Sequence, residues 1–265
     1  MFNKYYIDLA SLDIKEAFSG KGAWHYLAWQ EVRQRYRRSL LGPLWITIST
    51  AIMIMGIGPI YGYLLNQSIV GYIQYLAISI VIWTFISNSI NEGCLALISA
   101  EPFIRQIKLP YTSYILKSLT KNLIFLAHNM LIVVVVLIFI PPSNWKTIPI
   151  ALIGLLIIVG NLFWIILLLS IICARFRDIP QVIGSIVQIL FFITPIMWGA
   201  EMLGEKFAIA KLNPLYHFVQ IFRAPLLGYY PDSMSWIITL GLMICGLLVS
   251  FIVFVITRSK ISYLL

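Results

Sequence analysis

Charge is what this sequence has least of. Asp, Glu, Lys and Arg make up 11% of its 265 residues and hydrophobic types 60%, where a soluble domain carries about 25% charged residues. Too few polar side chains remain to coat a globule, which excludes an ordinary soluble domain. Acids are scarcest. The ten Asp and Glu are scattered, with no pair in the arrangement that acid–base catalysis requires. Cysteine is also rare: Cys94, Cys173 and Cys245 lie in or beside apolar runs at no metal-like spacing. His25, His128 and His217 form no cluster with carboxylates, so no metal centre is expected. A phosphate-cradling G-x-x-x-x-G-K-[ST] loop is missing, because "SGKG" at 19–22 lacks both the spacing and the following helix start. The N-terminus carries Asp8, Asp13 and Glu16 and has no apolar core before residue 44, so no cleavable signal peptide is expected.

What is present is long uncharged sequence. Ser39 to Asn91 contains no Asp, Glu, Lys or Arg, and charge-free stretches recur at 122–145, 147–174, 179–200 and 233–257. Crossing the bilayer core takes about 20 apolar residues in a helix, the form that bonds every backbone group within the segment. The pattern predicts an all-α polytopic membrane protein with six spans: Leu44–Leu65, Tyr72–Asn91, Leu119–Ile140, Ile148–Cys173, Ile179–Trp198 and Trp236–Ile256. Residues 1–43 form an N-terminal segment and residues 44–265 a single transmembrane domain.

Basic residues orient these spans. The two termini and the loops after spans two and four hold 15 of the 19 Lys and Arg, leaving Lys146, Lys206, Lys211 and Arg223 for the other side. The positive-inside rule then places both termini in the cytoplasm. The net charge of +9 is mostly this asymmetry and requires no nucleic acid.

The densest basic stretch is "RQRYRRSLLGPLW" at 33–45. From Trp24 to Arg38 the wheel of an amphipathic interface helix gathers Ala28, Trp29, Val32 and Tyr36 on one arc. Gly42 and Pro43 then break it and restart a helix. Two readings of Arg33, Arg35, Arg37 and Arg38 stand side by side. They are topology anchors, or they attract an anionic lipid headgroup or a pyrophosphate to the foot of span one. Glu92 and His128 are the polar oddities near or within spans, either functional or satisfied by a neighbouring helix.

Between Trp198 and Trp236 the connection is too long for a passive hairpin and too apolar for disorder. Within it, His217 to Leu227 is an apolar run of about 10 to 14 residues, a length that suggests a re-entrant or interfacial segment.

"LAWQEVRQRYRRSLLGPLW" (27–45), "FFITPIMW" (191–198) and "LNPLYHFVQIFRAPLLG" (212–228) resemble the membrane subunit of bacterial type 2 ABC exporters for lipid-linked polysaccharide. That family serves O-antigen, capsule and teichoic acid. The resemblance implies a homodimer of six-span permeases in the bacterial inner membrane, with two copies of a separate ATPase subunit on the cytoplasmic side. ATP and Mg would belong to that partner, and this chain would bind no cofactor. The substrate implied is a glycan on an undecaprenyl-type carrier, O-antigen by closeness of the motifs.

The same resemblance assigns tasks to segments. A cytoplasmic coupling segment at 99–114 would meet the motor through Glu101, Phe103, Ile104 and Arg105, with Phe103, Ile104 and Ile107 on one apolar face. Arg177 and Asp178 of "RFRDIP" are the second coupling candidates, and an ordinary charged turn remains open for both loops. A periplasmic gate segment at 199–232 would contain Tyr216, His217 and Arg223. Spans one and five would flank the channel, so Trp45, Tyr61, Phe191, Phe192 and Trp198 could stack on sugars, although interfacial belts account for such rings equally well. A membrane-embedded transferase or an ion-coupled flippase are the alternatives. The first lacks paired acids, and the second lacks charged relays within the spans.

Overall fold

A computed structural model describes residues 4–21, 23–199, 202, 204 and 207–265, and every regular element among them is helical. In chain order these are α1 (Lys4–Glu16), α2 (Trp24–Arg35), α3 (Leu44–Leu64), α4 (Ile69–Cys94), α5 (Glu101–Gln106) and α6 (Tyr111–Phe139). There follow α7 (Ile148–Arg175), α8 (Ile179–Ile193), α9 (Phe207–Lys211), α10 (Pro214–Leu227), α11 (Ser233–Thr257) and α12 (Ile261–Leu264).

Helix α4 is the axis. It is buried on nearly all sides and packs against α3, α6, α7, α8 and α10. Helix α3 gives it only a narrow seam, Thr50, Ile54, Gly58 and Gly62, repeating every fourth residue. Small residues in that seam let the backbones approach: a Cβ on Gly58 would lie 2.9 Å from Ile73 Cγ1, and one on Gly62 3.3 Å from Ile69 Cα. This is the small-xxx-small packing of membrane helices, where backbone proximity and van der Waals contact replace the hydrophobic drive. The remainder of α3, including Ile52, Met55, Ile60 and Tyr63, is exposed.

Five helices, α3, α4, α6, α7 and α11, are long and apolar enough to cross a membrane. Helix α8 is not. The expected span at 179–198 stays helical for 15 residues and ends at Thr194, whose ψ of 134° is extended. Pro195 explains the stop, since its ring disfavours the α conformation of the residue before it and removes a backbone donor. Its continuation nevertheless runs along α4. Phe191 packs on Trp83 with centroids 5.9 Å apart, and the carbonyl of Met197 meets Tyr72 Oη at 2.6 Å.

Two other boundaries differ from expectation. The third apolar helix begins at Tyr111, not Leu119, because buried Asp13 of α1 caps its first turn. The Asp13 carboxylate accepts from the N–H groups of Tyr111 and Thr112 at 3.1 and 3.0 Å, and from the Thr112 hydroxyl at 2.8 Å. A carboxylate suits the donor-rich, positive end of a helix dipole. The expected coupling segment at 99–114 accordingly overlaps α6, and Tyr114 is buried in it. The interface helix ends at Arg35 instead of Arg38. Ala28 and Val32 are buried where the helix packs against α6, and Trp29 is 51% exposed.

Candidate functional site

The face that carries both termini is organised by ion pairs. Glu101, at the start of α5, holds Arg105 at 2.8 Å and reaches Arg177, just after α7, at 3.1 Å. Arg177 also donates to the carbonyl of Leu265 at 2.9 Å. Two loops expected to couple separately are joined by this contact, between residues 76 positions apart, and with them the C-terminus. The Arg177 hydrogen bond, with Arg105 and the charges of both, holds the Glu101 carboxyl below its ordinary value. Asp178 stands at the N-cap of α8 without a side-chain capping bond. Phe103 and Ile104 separate: Phe103 is 51% exposed beside exposed Ile107, whereas Ile104 packs against the core. One apolar face through all three is therefore corrected to an outward pair and an inward anchor, as a helix of six residues at α5's start turns neighbouring side chains by about 100°.

The arginine cluster divides likewise. Arg35 pairs with Glu92 at 3.5 Å and lies over the Phe125 ring at 5.5 Å. Arg33, Arg37 and Arg38 are exposed and have no ion pair among the described residues. Around Glu92 stands a network that sequence reasoning missed. Lys121 bridges Glu92 at 3.0 Å and also pairs with Glu31, Lys117 meets Glu31 at 2.8 Å, and Asn122 Nδ2 donates to Glu92 at 2.9 Å. It fastens α2 to α4 and α6. The available signals were Lys117 and Lys121 one helical turn apart and the lone acid ending the longest charge-free run.

On the opposite face the broken end of α8 is held by side chains from two helices. Tyr75 Oη donates to the carbonyls of Pro195 and Trp198 at 3.0 and 2.9 Å, and Tyr72 Oη donates to Met197. Arg223 of α10 is 3% exposed and donates to the Pro195 carbonyl at 2.6 Å and to Ser79 Oγ at 3.0 Å. Its other branch reaches Gln220 Oε1 at 2.9 Å, and the guanidinium stacks on Tyr75 at 4.3 Å. Non-helical backbone at membrane depth is tolerated where it is bonded by protein groups or lines a polar cavity. Thr194 closes the set, accepting at Oγ1 from Asn213 Nδ2 at 2.8 Å.

Helix α10 is the largest piece of the expected gate segment; residues 200, 201, 203, 205 and 206 of that segment lie outside the described residues. Asn213 caps it, and Gly228, at φ 94°, ends it in the left-handed conformation that glycine adopts without strain. It lies so close to α7 that a Cβ on Gly154 would stand 2.4 Å from the Ile221 carbonyl oxygen. His217 is buried between Ser235 Oγ at 2.9 Å and the Lys211 carbonyl at 2.8 Å, tying α10 to α11 and α9. Since a carbonyl only accepts, Nε2 carries a proton. Tyr216 is buried beside it.

Of the five expected channel rings, three meet at the break. Phe191 and Phe192 are 5.2 Å apart edge to face, and Trp198 Nε1 donates to the Phe192 carbonyl at 3.1 Å. Trp45 and Tyr61 sit near opposite ends of α3, about 24 Å apart by helical rise. Trp45 and Phe192 are exposed, at 48% and 63%.

Known proteins match most of this chain's length. The O-antigen export system permease protein RfbA of Myxococcus xanthus is 20% identical over 80% of this chain and 82% of its own length. Two proteins of the same name from Klebsiella pneumoniae are each 25% identical, one over 73% of this chain and 76% of its own, the other over 82% and 86%. The sequence profile described as ABC-2 type transporter matches residues 22–227, and on that match the chain belongs to the ABC-2 type transporter family.

Proposed function

We propose that this chain is the membrane subunit of an ATP-driven exporter that carries lipid-linked O-antigen polysaccharide across a bacterial inner membrane. The observation that carries the reading is the agreement in name of three relatives spanning 73–82% of the chain, in a membrane-transporter family. ATP and Mg would sit on a separate ATPase, in two copies beneath a homodimer of this chain.

The geometry suits such a division of labour. Glu101 and Arg177 clasp two loops into one surface from which Phe103 and Ile107 project. An apolar side chain presented beside ion pairs is a contact that a motor can push without breaking the permease. Displacement of Arg177 would pass to α8, which starts two residues later. At the far end of α8, the Tyr72, Tyr75 and Arg223 bonds would fix where the non-helical stretch 194–198 leaves the bilayer. We read α10 as the re-entrant gate element, and Arg223 as the pillar that sets its position against α8.

A sixth crossing is supported by parity. Asp13, before the first apolar helix, receives a hydrogen bond from Arg258 Nε, after the last, at 3.0 Å. Chain ends that touch favour an even number of crossings, and α8 with its continuation would supply the sixth. The exposed flanks of α3 and α8 are the surfaces that a second copy and the substrate path would cover. Purifying the tagged chain from its own cells tests the proposal: a nucleotide-hydrolysing subunit should accompany it, and deletion should leave lipid-linked glycan on the cytoplasmic leaflet. Surface O-antigen unchanged by deletion would refute it.

A further inference from the structure

A cavity of about 640 Å³ opens beside the break in α8. Tyr72, Tyr75, Tyr216, Tyr229 and Tyr230 supply aromatic walls, and Gln67, Gln74 and Gln220 supply amides. Its volume lies within the range of about 300–1,000 Å³ typical of small-ligand sites. Tyr229 and Tyr230 are 60% and 69% exposed, so the cavity reaches the surface. Gly199, the residue after the held stretch 194–198, is part of its lining. Tyr216 and Arg223 of the gate segment share its lining, but the gate assignment gives the cavity no occupant.

The lining selects a chemistry. It contains no Asp, Glu or Lys. Its one ionised group, Arg223, commits three of its five N–H donors to Ser79, Pro195 and Gln220, and its face to Tyr75, so a single largely engaged cation serves the whole cavity. A phosphate or carboxylate would need cationic donors that are not committed elsewhere. An alkyl chain would leave the amides unpaired. A neutral polyhydroxylated ring asks for something different: aromatic faces for its C–H edges, and groups that both donate and accept. The tyrosines meet the first demand through their negative ring faces. Amide side chains meet the second, and Gln74 retains its oxygen because only its Nε2 is engaged, with the Ile140 carbonyl at 3.0 Å.

We infer that this cavity is a binding site for a short stretch of neutral glycan on the exit face of each protomer, with Tyr229 and Tyr230 as its outer stacking surfaces. The inference rests on the export reading, because it takes the exported chain as the occupant. Sugar held there would be retained as it leaves the gate, which biases a growing or sliding polymer against return. Arg223 acts here as a positioning residue through Tyr75 and Gln220.

The test uses the complete exporter in cells that make their own lipid-linked glycan. Position 229 or 230 is replaced by the photoreactive residue p-benzoylphenylalanine, and position 145 is the control, since Trp145 is 57% exposed but does not line the cavity. After irradiation, glycan should be covalently attached to the permease at 229 and 230 and absent at 145. The double variant Tyr229→Ala with Tyr230→Ala should lower surface glycan per inserted transporter at least threefold, while the double phenylalanine variant, which keeps the stacking faces, stays within twofold of wild type. Capture of phospholipid without glycan, equal capture at 145, or no capture with wild-type export from the alanine variant would each overturn the site. Failure of the export reading is recognised separately: deleting the chain would then leave surface glycan intact, whatever the irradiation shows.

Discussion

Arg223 illustrates how much a single residue does here and how little of that is visible from its neighbours in sequence. It was expected near a gate, but its four partners come from α4, α10 and the break in α8, and only packing assembles them. Changing Arg223 to Ala leaves the Pro195 carbonyl with Tyr75 alone and takes the donor from Ser79 Oγ, a loss of about 1–3 kcal/mol for a buried polar group. Lysine restores one donor but not the planar stack or the fork. The expected order of thermal stability in detergent is therefore wild type, then Arg223→Lys, then Arg223→Ala; equal melting of all three would refute the pillar role. For the exposed arginines the structure sharpens an older choice. Arg35 is committed to Glu92 and Phe125, so a phosphate site at the foot of α3 must rest on Arg33, Arg37 and Arg38. Converting those three to lysine keeps positive-inside topology and removes the paired guanidinium donors. Markedly reduced surface glycan with normal insertion is the outcome expected of a phosphate site, and wild-type export would leave them as anchors.

Helices were more legible than the contacts between them. The apolar runs located α3, α4, α7 and α11 to within a few residues, because length and hydropathy alone decide whether a segment can sit in lipid. They misplaced the start of α6, since the charges of Lys117 and Lys121 read as loop when each is in fact paired with an acid from another element. They also overran α8 across Pro195. Two elements yield predictions. In α5, Phe103→Asp should abolish export and ATPase association while leaving the folded permease intact, because Phe103 is exposed; Ile104→Asp should lower the stability of the isolated permease, since Ile104 packs inward. Melting and co-purification of the two variants separate the roles. Helix α2 is held through Glu31, where burial pushes the carboxyl up but the bonds and charges of Lys117 and Lys121 outweigh it, leaving it below its ordinary value of 4.5. A depressed carboxyl contributes stability above its unfolded value and loses it as pH falls through the folded one. Melting curves of wild type and Glu31→Gln should therefore differ by a constant amount above about pH 5 and converge in stronger acid. A difference that grows on acidification would contradict the pairing.

At the scale of the molecule, the proposed orientation and crossing number are supported by independent observations. Fifteen of the 19 basic residues lie on one side in the sequence, and the fold brings the two chain ends on that side together through Asp13 and Arg258. The first is an energetic preference for positive loops in the cytoplasm; the second is a geometric condition that favours an even number of crossings. What composition could not reveal is that the segment proposed as the sixth passage is only partly helical, its backbone bonded by tyrosines and an arginine from elsewhere in the chain. A cysteine-free background with single cysteines decides the arrangement. Lys108→Cys and Arg177→Cys should react with a membrane-permeant maleimide only, whereas Lys146→Cys and Tyr229→Cys should also react with an impermeant one added to intact cells stripped of their outer membrane. Positions 108 and 177 precede α6 and α8, and 146 and 229 follow them. If α8 did not cross, 177 and 229 would label from the same side. Ser143 N–H donates to the Leu227 carbonyl at 3.4 Å, which forces 146 and 229 to share a face. Discordant labelling of that pair would therefore reject the fold itself, and because α7 separates 146 from 177, labelling of 177 together with 229 would reject it too.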